Sequence, residues 1–277
     1  SEFYSLSFLR VSALKKVETM EAEAMKEMKI DPLSLKLSAF QTSFRRKEKE
    51  KFALEAASEH LFERVTSLPS HKILAEALNQ QLGSLELEEL KTTFLKDASL
   101  VQLVDDPNPL ASLYTTKEHL EHEEWAVNFV NASCGRRPKL LVEEPITSDW
   151  LAKEQADAVK FICGMKDAVC AVRGIAGAGK TTMLKELHGH LERAGHQMLY
   201  LAPTASAVDV LRSEGFLNAT TVSEYLAKAK AEAEANVTSS WHHAVIVIDE
   251  SGLKSTRQGY EALKLAQARW QRVVLVG

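Results

Sequence analysis

The chain has 277 residues, a length that suits about two domains, and a formal net charge of −4. With 45% hydrophobic and 26% charged residues it has an ordinary globular composition. The negative net charge excludes a surface that is basic throughout and binds nucleic acid everywhere, but it does not exclude a local basic groove. No run approaches the ~18 apolar residues of a membrane span and the N-terminus lacks a signal-peptide layout, so we expect a cytoplasmic protein.

Residues 1–52 are predicted to be a segment of charged helices. The basic cluster near its end is diluted by Glu48 and Glu50, which favours an exposed helix with paired charges over a nucleic-acid contact. We therefore assign no function to this segment.

Residues 53–134 are predicted to form a helical, winged-helix-like domain. Helical patterns near 56–65, 70–82 and 85–95 precede two short extended runs at 100–104 and 113–115. Three helices followed by a β-hairpin are the outline of a winged helix.

The candidate recognition helix of this domain is acidic. It carries Glu86, Glu88 and Glu89 against Lys91 alone, and these carboxylates would face DNA phosphates unfavourably. A role in protein packing is therefore favoured over DNA reading, although the latter stays open.

One more helix is predicted to end this domain. Thr115 and Glu118 match a capping box at its start, and Leu120, Val127 and Val130 form its predicted buried stripe. The polar, Gly- and Pro-containing stretch that follows is read as a linker, 135–147.

From residue 148 to 277 strands and helices alternate. Ser148 is predicted to cap a helix over 150–164. The apolar runs that follow are 168–172, 197–201, 245–248 and 273–276. Such near-continuous runs between helices predict parallel strands buried on both faces. The expected fold class is therefore α/β, a P-loop NTPase (RecA-like) parallel-sheet domain preceded by the mainly helical domain.

A complete phosphate-binding motif follows the first of these strands. It reads Gly174, Ile175, Ala176, Gly177, Ala178, Gly179, Lys180, Thr181, with Thr182 next in the helix behind it. Glycines let the backbone N–H groups curl around phosphate oxygens, and the helix N-terminus adds partial positive charge. Lys180 is expected to reach the β- and γ-phosphates, and the Thr181 hydroxyl to hold Mg²⁺. The ligands predicted are ATP and Mg²⁺.

Two acids follow the buried run 245–248. Asp249 stands where doubly wound sheets place ligands, and we expect it to be the second Mg²⁺ ligand. Glu250 is suited to orient, or take a proton from, the water that attacks the γ-phosphate. The catalytic residues predicted are Lys180, Asp249 and Glu250.

Two flanking features narrow the type of nucleotide hydrolase. Gln155 lies on the helix before the loop, and a carboxamide can pair with an adenine edge. Pro203 and Thr204 end a strand and start a helix, where hydroxyl and N–H groups can hold a phosphodiester backbone.

The order of these motifs resembles the first motor domain of superfamily-one, RecD-like DNA helicases. More closely, it is similar to the helicase part of conjugative relaxases of the TraI, TrwC and TraA (MobF) type, with specific motifs only from about residue 148 onward. The resemblance implies an ATP-dependent motor that tracks along single-stranded DNA during plasmid transfer. It also implies that Thr204 and Thr221 contact the DNA backbone and that Gln155 contacts adenine.

The sequence departs from that family at its end. It stops at Gly277, before the family's next motif and second motor domain, and it lacks the relaxase histidine cluster. We therefore expect a fragment that works with the remaining helicase and relaxase domains and hydrolyses little ATP alone. Two alternatives stay open: a P-loop kinase, and a non-catalytic helicase-like module that recruits DNA-transfer proteins.

Overall fold

The computed structural model describes most of the chain after residue 31. The described residues are 32–63, 65–80, 85–104, 107–175, 177–238, 240–250 and 256–277, with the side chains of 32–45 excluded. Within these ranges the chain forms nine α-helices, one short 3₁₀ helix and eight strands in two sheets. None of the helices in these ranges is both long and apolar enough to cross a membrane. The first 31 residues of the predicted segment 1–52 lie outside the described residues.

The N-terminal part combines three helices with a small antiparallel sheet. The helices are α1 (Pro32–Phe62), α2 (Ser70–Gln80) and α3 (Leu87–Phe94), and the strands are β1 (Leu68–Pro69), β2 (Leu100–Gln102) and β3 (Leu113–Thr116). The strand order is β1-β3-β2, and Leu100 of β2 lies opposite Thr116 of β3. The three predicted helices and the hairpin are present. The assignment as a winged-helix-like domain stays a prediction. Strand β1 was not predicted, because a two-residue strand that includes Pro69 carries no alternation to detect.

The helices of this part share one hydrophobic core. Leu54, Ile73 and Leu90 are buried there, and Phe94 meets Tyr114 edge to face with ring centroids 4.8 Å apart. One acid of α3 also contacts a neighbouring helix: Glu89 pairs with Arg46 of α1 at 3.0 Å. Helix α1 is continuous across residue 52, so the predicted boundary there falls within one helix.

Helix α4 (Lys117–Ser133) starts one residue later than its capping box predicts. The capping side chain is that of Thr116, whose hydroxyl accepts a hydrogen bond from the backbone N–H of His119 at 3.1 Å. Thr115 cannot serve, because it is buried within strand β3. The prediction of Thr115 as the cap was wrong for that reason.

The buried side of α4 also differs from the prediction. Val127 and Val130 are 59% and 37% exposed, whereas Phe129 is only 8% exposed. An aromatic stripe decides the orientation: Trp125 stacks on Phe129, and the His122 ring stacks on Tyr260 at 3.9 Å. Aromatic rings bury more apolar area than valine, so they face the neighbouring helix.

The C-terminal part is a three-layer α/β/α arrangement around a parallel sheet. Its strands are β4 (Val169–Val172), β5 (Met198–Ala202), β6 (Ala219–Thr221), β7 (Val245–Ile248) and β8 (Arg272–Val276). The order is β4-β8-β7-β5-β6 and every neighbouring pair is parallel. The predicted α/β fold with a buried parallel sheet is confirmed.

Helices cover both faces of this sheet. One core holds helices α5 (Lys153–Gly164), α6 (Lys180–Arg193) and α7 (Ala205–Ser213); the other holds α8 (Val222–Glu234), α9 (Thr256–Ala268) and Phe129 of α4. Along β5, Tyr200 belongs to the first core and Leu199 and Leu201 to the second. This alternation is what a strand buried on both faces requires.

The start of helix α5 corrects another prediction. The helix begins at Lys153 with Ala152 as its N-cap, so Ser148 does not cap it. Ser148 instead donates from its backbone N–H and its hydroxyl to Glu186 on α6, at 3.0 and 3.1 Å. A carboxylate acceptor fixes this serine more strongly than a helix start would.

The predicted linker 135–147 lies against the parallel sheet. The Arg137 guanidinium donates to the Trp270 carbonyl at 2.7 Å and lies over the Trp270 ring. Arg272 of β8 donates to the Pro138 carbonyl. The segment is thus held by several hydrogen bonds, and its role as a domain boundary stays a prediction.

Replacing Phe129 or Val127 of α4 with alanine, one at a time, tests the orientation of this helix. Phe129→Ala empties a buried site and should lower the free energy of unfolding by about 3–5 kcal/mol. Val127→Ala, at an exposed site, should change it by less than about 0.5 kcal/mol. Urea denaturation of the two variants measures both values; equal losses would contradict the packing described.

Candidate functional site

The loop between β4 and α6 is tied to the end of the neighbouring strand. Gly174 donates its N–H to the Gly277 carbonyl at 2.8 Å, and Gly277 donates to Val172 at 3.2 Å. Strand β8 therefore fixes the point at which the loop leaves the sheet.

Two glycines give the loop its curvature. Gly177 and Gly179 have φ angles of 79° and 72°, in the left-handed region that other residues rarely adopt. Gly179 is also the N-cap of α6, and Ala178 closes a turn by donating to the Ile175 carbonyl at 3.1 Å. Ala176 lies outside the described residues.

Lys180 spans the loop from the first position of α6. Its Nζ donates to the Gly174 carbonyl at 3.0 Å, so the ammonium group lies across the space that the loop encloses. Thr181 and Thr182 follow in the same turn and are half-buried. The N-terminus of this 14-residue helix adds the partial positive charge that attracts anions.

Gln155 connects helix α5 to the loop. Its side-chain oxygen accepts from the Ala152 N–H at 3.1 Å, and its Nε2 donates to the carbonyls of Ala178 and Gly179 at 2.9 and 3.4 Å. Both ends of the amide are therefore engaged with backbone groups. The adenine contact stays a prediction.

The two predicted acids stand at the carboxyl end of β7. Asp249 is half-buried, donates its N–H to the Leu201 carbonyl at 2.9 Å and accepts from the Glu250 N–H, also at 2.9 Å. Glu250 is exposed and has a φ of 48°, which is uncommon for a residue other than glycine. Its neighbour Ser251 lies outside the described residues.

The parallel sheet brings these groups to one edge. Strand β8 lies between β4 and β7, so two strand spacings, about 10 Å, separate the loop from the acids at the level of the sheet. The acids in turn neighbour the end of β5. The loop, Asp249 and Glu250 therefore line one edge in the order that the strands dictate.

The residues predicted to contact DNA stand at the far end of the same edge. The hydroxyls of Thr204 and Thr221 cap α7 and α8, accepting from the N–H groups of Ala207 and Glu224 at 3.2 and 3.1 Å. Pro203 precedes Thr204 and is half-buried. Ala202 of β5 pairs with Thr221 of β6, so the two helix starts are neighbours. Their contact with DNA stays a prediction.

Glu186 is a supporting residue that sequence reasoning missed. Besides holding Ser148, it lies 3.3 Å from His190 Nε2, and its side chain is 12% exposed. Burial raises its pKa, but the hydrogen bonds from Ser148 and His190 outweigh burial, so the net pKa is lowered. It lies 38 residues from Ser148, and no local pattern links them.

The residues present fit a nucleoside triphosphate with Mg²⁺. The curled glycine backbone, the Lys180 ammonium and the α6 N-terminus converge on the enclosed space of the loop. A hydroxyl from Thr181 and a carboxylate from Asp249 are hard oxygen ligands of the kind Mg²⁺ prefers. The parallel sheet and the loop together place the C-terminal part in the P-loop NTPase fold class.

Comparison with known families agrees with this class. Residues 150–277, slightly less than half of the chain, match the model of the AAA domain.

The chain is also homologous to conjugal transfer protein TraA. It is 29% identical over 171 residues to the probable conjugal transfer protein TraA of Sinorhizobium fredii, covering 59% of this chain and 15% of that protein. It is 28% and 30% identical over 127 residues to TraA of Rhizobium radiobacter and Agrobacterium fabrum, covering 46% of this chain and 11% of each relative. The chain thus spans a small part of these relatives.

Alanine at Gly179 tests whether Gln155 holds the loop. A Cβ at Gly179 would lie 2.2 Å from the Gln155 Nε2, whereas a Cβ at Gly177 would meet nothing within 4 Å. Both substitutions carry the left-handed strain of about 1–2 kcal/mol. Gly179→Ala should therefore lower the free energy of unfolding more than Gly177→Ala does. In the double variant, Gln155→Ala should remove this extra loss, which gives a coupling energy of roughly 1 kcal/mol because the two residues are in contact. Unfolding free energies of the single and double variants measure it; strict additivity would contradict the contact.

Proposed function

We propose that the chain is the ATP-binding part of a cytoplasmic DNA helicase that works in conjugative transfer. It would move along single-stranded DNA and couple unwinding to the conversion of ATP and water to ADP and phosphate. The observation that carries the proposal is the pairing, on one sheet edge, of the loop from Gly174 to Thr181 with Asp249 and Glu250. The similarity to conjugal transfer proteins supports the process.

The loop and α6 would bind the phosphates. Backbone N–H groups from Gly177 to Thr182 would donate to phosphate oxygens, and Lys180 would leave the Gly174 carbonyl to pair with them as a point charge. Thr181 and Asp249 would hold Mg²⁺, which when bound neutralises charge on the β- and γ-phosphate oxygens. Gln155 would contact the adenine edge through the amide that now holds the loop.

Glu250 would act on the attacking water. It is exposed at the end of β7, and the Asp249 carboxylate fixes its backbone by accepting its N–H. A carboxylate held in this way can accept a proton from water or orient it. Asp249 would meanwhile serve as a metal ligand, so the two neighbouring acids would have separate roles.

The DNA strand would lie over the ends of β5 and β6. Pro203, Thr204 and Thr221 stand there beside two helix starts, and such positions can hold phosphodiester oxygens. This places the proposed DNA track next to the acids and away from β4, so one sheet edge would serve both ligands. The remaining helicase and relaxase domains of a TraA-like protein are the proposed partners.

Loss of the loop lysine tests the proposal directly. Lys180→Ala should weaken binding of a fluorescent ATP analogue with Mg²⁺ at least tenfold, since charge-assisted contacts to phosphate are lost. Lys185→Ala removes the same charge from the same helix, where the ammonium pairs with Glu214 at 2.5 Å in an exposed ion pair, and should bind normally.

The outcomes separate the alternatives. Equal binding by the two lysine variants would contradict a catalytic site and favour the interaction module. Transfer of labelled phosphate to a small acceptor, rather than release as free phosphate, would favour a kinase. Labelled single-stranded DNA that fails to bind the chain with or without nucleotide would contradict the DNA track.

A further inference from the structure

Trp150 is an exposed tryptophan in the turn that precedes helix α5. Its side chain is 63% exposed, and within the described part of the chain its ring has no aromatic or cationic partner. Trp125, in contrast, stacks on Phe129, and Trp270 lies under the Arg137 guanidinium. An exposed indole presents an apolar π face on which another planar ring can stack.

The turn that carries Trp150 is fixed on both sides. Leu151 donates its N–H to the Ser148 carbonyl at 3.1 Å and buries its own side chain, and Ser148 is held by Glu186 of α6. On the other side, the Ala152 N–H is held by Gln155. The indole is therefore presented by an anchored turn.

Gln155 ties this turn to the loop. The same amide that accepts from Ala152 donates to the Ala178 carbonyl at 2.9 Å. The Gln155 side chain thus connects Ala152, two residues after Trp150, to the phosphate loop. The turn and the loop are therefore linked through the Gln155 side chain.

The direction of a bound nucleotide follows from the acids. Its reacting γ-phosphate has to face Asp249 and Glu250, which lie on the β7 side of the loop. Its base must then leave the loop on the opposite side, where α5 and the Trp150 turn pack against α6. The proposed DNA track lies beyond the acids, at the ends of β5 and β6.

We propose that the Trp150 indole stacks on the base of the bound nucleotide. The inference rests on the proposed function and deepens it, because it adds a binding group for the base. Every nucleobase has a π face, so stacking contributes affinity without choosing between bases. Trp150 would strengthen ATP and GTP binding alike, and any preference for adenine would come from hydrogen bonds such as those of Gln155.

The experiment compares ligands with and without a base. In Trp150→Ala, the Kd for Mg-ATP and for Mg-GTP should each rise about tenfold, as expected for the loss of one aromatic–base stack. The Kd for Mg-tripolyphosphate, which carries the charge but no base, should stay unchanged. Trp150→Phe should keep the ATP affinity within about threefold, because phenylalanine still offers a ring.

Tryptophan fluorescence supplies the second measurement. Mg-ATP should quench the emission of the wild-type chain and that of the control variant Trp270→Phe. Trp270 is 60% exposed, similar to Trp150, but it precedes β8 and so lies at the end of that strand away from the phosphate loop. It should not quench Trp150→Phe. Short oligothymidylate alone should leave the emission unchanged; quenching through Trp150 by the oligonucleotide would assign the indole to DNA and overturn the proposal.

Three other results have distinct meanings. Equal weakening of ATP and tripolyphosphate binding in Trp150→Ala would show a structural role and overturn the inference. Unchanged ATP binding in Trp150→Ala would also overturn it. A wild-type chain that binds neither ATP nor tripolyphosphate would instead contradict the proposed function itself.

Discussion

The parallel pairing of β8 is the interaction on which the rest of the site depends. This strand lies between β4 and β7, and its backbone hydrogen-bonds to both. Because all three run in the same direction, the loop after β4 and the acids after β7 emerge on one edge. The last residue, Gly277, also accepts from the Gly174 N–H and so positions the loop itself. A strand without a reactive side chain thus sets the geometry of the reactive ones.

The sheet has a protected edge at β6. The outward carbonyl of Ala219 accepts from the Arg212 guanidinium at 2.8 and 3.1 Å, and the Thr221 N–H donates to the Glu224 carboxylate at 3.2 Å. Hydrogen bonds from the Thr220 hydroxyl and from Thr221 lower the pKa of Glu224, which keeps it ionised as an acceptor. With these groups satisfied, another strand has little to pair with on that side. The proposed DNA track therefore lies beside a closed edge.

Local patterns predicted the parallel sheet and the phosphate loop, because both depend on short sequence signals. Runs such as Val245–Ile248 are apolar throughout, and the loop has a fixed spacing of glycine and lysine. The orientation of α4 could not be predicted, since it depends on Tyr260, a partner far along the chain. The roles of Ser148 and Gln155 depend equally on distant acceptors, Glu186 and the Ala178 carbonyl. Local sequence patterns predict helices and strands, whereas contacts between residues that are distant in the sequence are seen only in the folded structure.

Helix α4 joins the two parts of the molecule mechanically. It continues directly from β3 of the small sheet, and its first turn packs His119 against Phe62 of α1 at 5.7 Å. Farther along, Phe129 enters the core of the parallel sheet, and His122 stacks on Tyr260 of α9. Burial is the main cause of the lowered pKa of His122, which favours its neutral ring in this contact. Helix α9 follows the stretch that begins with Asp249 and Glu250. A rotation of the small sheet relative to the parallel sheet would therefore have to expose Phe129 or displace α9.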